Sequence, residues 1–230
     1  MEHLAVIMDG NRRWAKKGNS SSEDRFGHKK GKDAARLVVE FCIKKNIKYL
    51  SLYTFSLENL NRSEEEKNDI FSILLMGIES ELDDLIKEGV RIRFIGDRTK
   101  FPKHLIPSIT KAEAKTESQC ILNLNILFCY GAQQEYVHVV RNLAQRVKQG
   151  TLNVEDIDHE MVQNALWTAG IPNPDLILRT SGISRLSNFL LYQAAYSELA
   201  FLDCYWPEIT EAHLTKCVED FKNTKQNFGY

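Results

Sequence analysis

Asp9-Gly10-Asn11-Arg12-Arg13 places a carboxylate, a turn-forming pair and two permanent cations in five consecutive positions. Gly10 and Asn11 suit a tight turn that can need positive φ. The residues after them read as a helix start, whose free N–H groups form a phosphate site. Arg12 and Arg13 add forked donors. A carboxylate beside such arginines has two readings. Asp9 brings Mg²⁺ to a diphosphate, with water and phosphate oxygens filling the other positions, or it caps the helix and the arginines are surface residues. A second basic cluster is Arg179-Thr180-Ser181-Gly182 with Arg185, Ser187 and Asn188. It reads as another diphosphate clamp or as structural ion pairs. Ser56, Glu58, Asn59 and Arg62 follow an apolar run, either as site residues or as a surface loop. His28, in the basic Gly27–Lys32 stretch, is a proton shuttle, a phosphate ligand or a structural histidine. Two basic clusters suggest two anionic groups side by side, and one carboxylate suggests one divalent ion between them.

Positioning these residues falls to alternating strands and helices. Apolar runs predict strands at 4–8, 47–55, 90–95, 121–128, 175–178 and 199–202. Helical stretches are predicted at 28–45, 63–88, 102–118, 133–148, 155–169 and 210–225. Ser63 with Glu66 makes a capping box for the long helix, Gly89 its C-cap, and Pro102 stands near the start of the next. The alternation predicts an α/β fold, a single domain over 1–230 with a central, mostly parallel six-stranded sheet flanked by helices. Ligands of such sheets lie beyond the carboxyl ends of the strands, where Asp9, Ser56 and Arg179 fall.

The helix at 63–88 is apolar around most of its circumference between Ile70 and Ile78, where a surface helix shows one stripe. The fourth strand is apolar on both faces. These segments form an ordinary core or line an apolar tunnel leading from the anion site. The tunnel would suit a substrate with a diphosphate head and a hydrocarbon tail.

Composition narrows the classes. With 30 basic and 31 acidic residues, the net charge of −1 gives no global attraction for nucleic acid. Five cysteines with no CxxC read as reduced thiols of a cytosolic protein. The opening apolar run of five residues is too short for a signal peptide, and no run reaches a membrane span. GxxxxGK[ST], GxGxxG after the first strand, GxSxG and zinc-ligand spacing are all absent, which disfavours the enzymes built on them.

The stretch from His3 to Ala15 resembles the opening signature of the cis-prenyltransferases, whose bacterial members are undecaprenyl diphosphate synthases. Gly27-His28-Lys29-Lys30-Gly31 resembles their second block. Tyr53 to Arg62 resembles the third, Asp175 to Gly182 with Arg185 to Leu191 the fourth, and Tyr196 to Leu199 with Trp206-Pro207 the fifth. The resemblance covers nearly the whole chain, in order. It implies condensation of isopentenyl diphosphate onto an allylic diphosphate, usually farnesyl diphosphate, with new cis double bonds and Mg²⁺ as cofactor. Asp9 would bind the metal and help the leaving group depart. Gly10, Asn11, Arg12, Arg13, Trp14, His28 and Arg62 would serve the allylic diphosphate. Arg179, Arg185 and Ser187 would hold isopentenyl diphosphate. Ser56, Glu58 and the catalytic Asn59 would lie near the reacting carbons, and Glu198 would help place the metal, from the same chain or across a dimer interface. A homodimer, a cytoplasmic location and transient contact with the inner face of the membrane for product release are also implied, with no nucleic-acid partner.

There are departures from the family pattern. Asp24 stands where the family often has arginine, and Arg25, one position on, would take its place among the substrate-binding residues. Ser181 and Ile183 replace a common Gly and Glu, Leu60 replaces an aromatic, and Cys129-Tyr130-Gly131-Ala132-Gln133 replaces Asn-Tyr-Gly-Gly-Arg. Thr54 and Phe128 are bulkier than is usual there, so a shorter-chain product is the alternative to undecaprenyl diphosphate. A non-catalytic prenyl-binding partner is a further alternative, against which the retained Asp9, Asn11, Arg13, Arg179 and Arg185 weigh. Asp83-Asp84 followed by Leu-Ile-Lys lacks the DDxxD motif of the trans class.

Overall fold

The computed structural model describes residues 1–17 and 23–224, with side chains described outside 18–29. Six strands form one sheet in the order β3-β4-β2-β1-β5-β6: β1 His3–Ile7, β2 Tyr49–Ser56, β3 Val90–Ile95, β4 Leu122–Tyr130, β5 Leu176–Arg179 and β6 Glu198–Phe201. Every pairing is parallel, so each strand needs a crossover to reach the next. The helices are α1 Asn11–Lys17, α2 Glu23–Lys44, α3 Glu64–Lys87, α4 Ile106–Thr116, α5 Ala132–Lys148, α6 His159–Ala165 and α7 Glu211–Asn223.

β1 and β5 are buried at every position, as strands covered on both faces must be. Alternation along β1 divides the core. Leu4 and Val6 join the larger cluster with α2, α3 and α7, through Val38, Phe71 and Leu214. Ala5 and Ile7 face the other way, onto Tyr130, Ile177 and Phe189. From β1 the chain winds towards β2, whereas β5 passes on towards β6 at the other edge. The loops after β1 and β5 therefore diverge, and the crevice between them is the switch point where this class of sheet binds ligands.

Several predicted boundaries move. The helix predicted over 155–169 is a 3-10 turn, Val154–Asp156, and then the short α6. Asp158 starts α6 afresh, its side chain accepting from the Met161 N–H at 2.8 Å. The helix predicted from 102 begins at Ile106, with Pro107 rather than Pro102 in its first turn. β6 starts one residue earlier than predicted, α2 starts at Glu23, and α3 follows its prediction, with Ser63 accepting from the Glu66 N–H. All five cysteines are free, and no helix among the described residues is long and apolar enough to cross a membrane.

Candidate active site

β1 ends at Ile7, and the chain turns at once, with the Asp9 N–H donating to the Ile7 carbonyl at 3.0 Å. Thr180, at the end of β5, locks that turn. Its Oγ1 accepts from the Asp9 N–H at 3.0 Å and donates to the Asp9 carbonyl at 2.6 Å. The Trp206 N–H donates to the same carbonyl at 3.0 Å. Gly10 has φ +106°, and a Cβ there would lie 2.6 Å from Tyr205 Cδ1, so the turn needs glycine on both counts. Asn11 then opens α1.

The Asp9 carboxylate joins the two basic clusters. Arg13 Nη2 donates to one oxygen at 3.0 Å and Arg179 Nη2 to the other at 2.8 Å. Burial alone would raise the Asp9 pKa. Hydrogen bonds from Arg179, Ser181 and Arg13, with the Arg179 charge, outweigh it and hold the carboxyl below its ordinary value. Arg13 also donates to Ser181 Oγ at 2.6 Å. Arg179 is almost fully buried, and its Nη1 donates to Ser187 Oγ at 2.7 Å and to the Arg185 carbonyl. Arg185 Nε donates to Ser187 Oγ at 3.3 Å and the side chain stays exposed. The loop carrying these groups holds Ser181, Ser187, Asn188 and Leu190 at φ of 81°, 51°, 64° and 44°. Non-glycine residues adopt that region at a cost, and four within ten residues mark a loop shaped by its task.

These groups form the mouth of a cavity of about 790 Å³. Asp9, Gly10, Asn11, Arg12, Arg13, Arg179, Arg185 and Ser187 line it, as do Ser56, Asn59 and Arg62 at the end of β2. Ser56 and Asn59 are also a reciprocal cap on the 3-10 turn Leu57–Asn61. Asn59 Oδ1 accepts from the Ser56 N–H at 3.1 Å and Ser56 Oγ from the Asn59 N–H at 3.3 Å. Arg12 pairs with Glu66 of α3 at 2.8 Å. Deeper, the lining turns apolar: Leu52, Leu124 and Ile126 from the sheet, Val39 from α2, Ile70 and Leu74 from α3. The apolar α3 face therefore lines a cavity as well as a core.

Other predicted residues are not brought together. Trp14 is half-buried and does not line the cavity. Glu58 is exposed and accepts from Asn188 Nδ2 at 2.7 Å, which ties the loop after β2 to the loop after β5 rather than facing the cavity. The side chains of Arg25 and His28 lie outside the described residues. Glu198 is not brought to Asp9 within one chain. It stands level with Leu176 and, through it, with Leu4, at the amino end of the sheet, two strands from β1. Asp9 lies past the carboxyl end of β1, so the carboxylates are separated by roughly 10 Å or more along the strands and two spacings of about 4.8 Å across them. Phe128 is fully buried among Phe55, Phe71 and Phe101, behind the wall, whereas Thr54 lines the cavity and donates to the Leu127 carbonyl at 2.8 Å.

Lys16 escaped the sequence reasoning, and Thr180 and Trp206, although named in it, were given no part in holding the Asp9 turn. Lys16 lines the mouth one turn beyond Arg12, an i,i+4 spacing that could have been read. Thr180 and Trp206 act through contacts that exist only in the folded chain.

Among the described residues, no group of three His, Cys, Asp or Glu side chains could hold a metal by itself. Asp9 is a single ionised carboxylate, still part-exposed, at the mouth of an arginine-lined site. That donor set fits a hard cation which takes one protein carboxylate and draws its other oxygens from diphosphate and water, the habit of Mg²⁺.

A parallel sheet with an anion clamp at its switch point, opening into an apolar cavity, defines a protein that handles an anionic head carrying a hydrocarbon tail. Residues 7–229 match the family model described as "Putative undecaprenyl diphosphate synthase", a prenyltransferase family, and the chain belongs to that family. The ditrans,polycis-undecaprenyl-diphosphate synthase ((2E,6E)-farnesyl-diphosphate specific) of Haemophilus ducreyi is 40% identical over 228 residues, covering 99% of this chain and 93% of the relative. Lavandulyl diphosphate synthase from Lavandula x intermedia, solved with dimethylallyl diphosphate, superposes with a TM-score of 0.95 at 28% identity, covering 100% of this chain and 98% of that one. A "probable undecaprenyl diphosphate synthase" from Campylobacter jejuni superposes with a TM-score of 0.81 at 30% identity, with the same coverage.

Proposed function

We propose that this prenyltransferase condenses isopentenyl diphosphate onto an allylic diphosphate, with farnesyl diphosphate as primer, to give a long cis-polyprenyl diphosphate. The observation that carries the reading is the continuity of two arginine clusters, joined through Asp9, with an apolar cavity. In the reaction the C1–O bond of the allylic substrate breaks and its electron pair leaves with diphosphate. The double-bond electrons of isopentenyl diphosphate form the new C–C bond at C1, and a proton from C2 departs, with diphosphate available to take it. Arg12, Arg13 and Arg62 hold the allylic diphosphate, while Arg179, Arg185 and Ser187 hold isopentenyl diphosphate. Fixing both heads places the reacting carbons for attack. Asp9 and diphosphate oxygens would hold Mg²⁺, which when bound supplies positive charge to the departing diphosphate. The apolar walls take up the growing tail.

The Haemophilus relative supports undecaprenyl diphosphate as product, a lipid carrier for cell-wall glycans. One pair of observations favours a shorter product. The cavity is of a size common for small-ligand pockets, ~300–1,000 Å³, and the lavender enzyme that superposes with TM-score 0.95 was solved with a five-carbon allylic diphosphate. A homodimer is supported by β6, an edge strand exposing Leu199 and Phe201. A cytoplasmic enzyme touching the membrane to release its lipid fits the same chemistry.

The test is incubation with farnesyl diphosphate, labelled isopentenyl diphosphate and Mg²⁺, with an EDTA control and resolution of chain lengths. Metal-dependent elongation to C55 is expected, and a shorter ladder selects the second product. No incorporation with any allylic primer overturns the reading in favour of a non-catalytic partner.

A further inference from the structure

The wall between α2 and α3 carries charge where the rest of the cavity's depth is apolar. Lys32 of α2 lays its stem over Gly77 of α3, where an added Cβ would be 3.9 Å from Lys32 Cδ. Its Nζ donates to Glu81 Oε1 at 2.7 Å and to Ser80 Oγ at 3.0 Å. One helical turn further along α2, Arg36 pairs with Glu88 at the end of α3 and with Glu40 at 2.8 Å. Lys32, Arg36 and Glu81 line the same cavity as Val39 and Leu85. Arg36 Nη1 and Glu88 Oε2 are buried atoms without hydrogen-bond partners, so this rung of the ladder is partly withdrawn from water, although the two side chains keep 24% and 31% of their exposure.

We propose that the two cross-helix ion pairs, Lys32–Glu81 and Arg36–Glu88, set product chain length by closing the α2–α3 seam against the growing tail. The inference rests on the elongation reading above. The floor of the cavity is a hydrogen-bonded sheet, and the side beyond Phe55 and Phe71 is filled by an aromatic cluster. Neither yields without losing backbone bonds or core packing. The two helices meet through side chains, so they can part. A tail that has filled the cavity gains further room by separating them. Hydrocarbon offers neither counter-charge nor hydrogen bonds, so Lys32, Glu81 and Glu88 would each lose the cross-helix partner, and Arg36 would keep only Glu40 of its own helix. Elongation stalls there and the product leaves.

The test compares product ladders from farnesyl diphosphate and labelled isopentenyl diphosphate at equal total incorporation. The double variant Lys32→Met/Glu81→Leu removes the charge while keeping volume, and its ladder is expected to shift by one or more five-carbon units to longer chains. The reversed pair Lys32→Glu/Glu81→Lys keeps the ion pair and is expected to restore the native ladder. Arg36→Met/Glu88→Leu tests the second rung independently and carries the question if the first double variant fails to fold. Native ladders from the folded apolar variants overturn the inference, as does a reversed pair that shifts as far as the apolar one. No incorporation by the native chain would instead overturn the elongation reading beneath it.

Discussion

Asp9 receives two arginines at once, and its ionised state follows from them. Asp9→Asn keeps the shape and removes the charge, so kcat is expected to fall by about 10²–10³, the scale of losing one preorganised electrostatic group. Thermal unfolding should come at a lower temperature as well, because the nearly buried Arg179 loses its counter-charge, although the carboxylate itself is part-exposed. Near-native turnover in steady-state assays would remove Asp9 from the chemistry. A different residue, His3, carries a stability prediction. It is buried, its Nδ1 against the Pro172 carbonyl at 2.7 Å and its Nε2 against Ser51 Oγ at 2.8 Å. Burial, against the raising effects of Pro172 and Asp175, lowers its pKa to about 4. Between the unfolded value of 6.5 and about 4, the unfolded chain binds the proton and the folded chain does not. Stability therefore falls as the pH drops through that window, by up to about 3 kcal/mol. His3→Gln should flatten that part of the curve in urea titrations at a series of pH values, and an unchanged slope would count against it.

At the scale of elements, α2 is placed by absence of a side chain. A Cβ on Gly31 would lie 2.5 Å from Asn11 Oδ1 and 3.1 Å from Trp206 Cδ1, and the Gly31 carbonyl accepts from Trp206 Nε1 at 2.8 Å. Gly31→Ala must push α2 away from α1 and Trp206, an overpacking cost of about 1–3 kcal/mol. The expected readout is a lower denaturation midpoint together with a raised KM for the allylic substrate. A variant with native values in both would show that the helices have slack. The α2–α3 ladder can be weighed in the same terms. One five-carbon unit drawn into an apolar cavity gains about 4 kcal/mol at ~0.8 per CH₂. Parting a buried ion pair costs about 3–5 kcal/mol, less here because Lys32 and Glu81 retain some exposure. The terms nearly balance for one rung, and the second rung tips them towards a stop.

For the whole molecule, β6 leaves a parallel edge with Leu199 and Phe201 turned to solvent. A second copy covering that edge would bury both. Leu199→Asp is accordingly expected to shift sedimentation velocity from dimer towards monomer, and a native chain sedimenting as a monomer would overturn the dimer. Glu198 begins the same strand, far from Asp9 of its own chain, so any metal role for it requires such an assembly.

The alternation of apolar runs with helical stretches determined the sheet, its parallel sense and the crevice beyond its strand ends, because parallel strands need crossovers and buried strands must be apolar throughout. The residue types at those ends likewise pointed to an anion site with one carboxylate, since arginine keeps its charge wherever the chain folds, whereas Asp9 is held ionised by the arginines and the serine that the fold brings to it. Only the tertiary structure decided which groups meet. Thr180 and Trp206 hold the Asp9 turn across 171 or more positions of sequence, and such distances leave no local signal. It also decided that Glu58 braces a loop and that Phe128 stands behind the wall. Both follow from side-chain direction and packing, which depend on neighbours brought in from elsewhere in the chain.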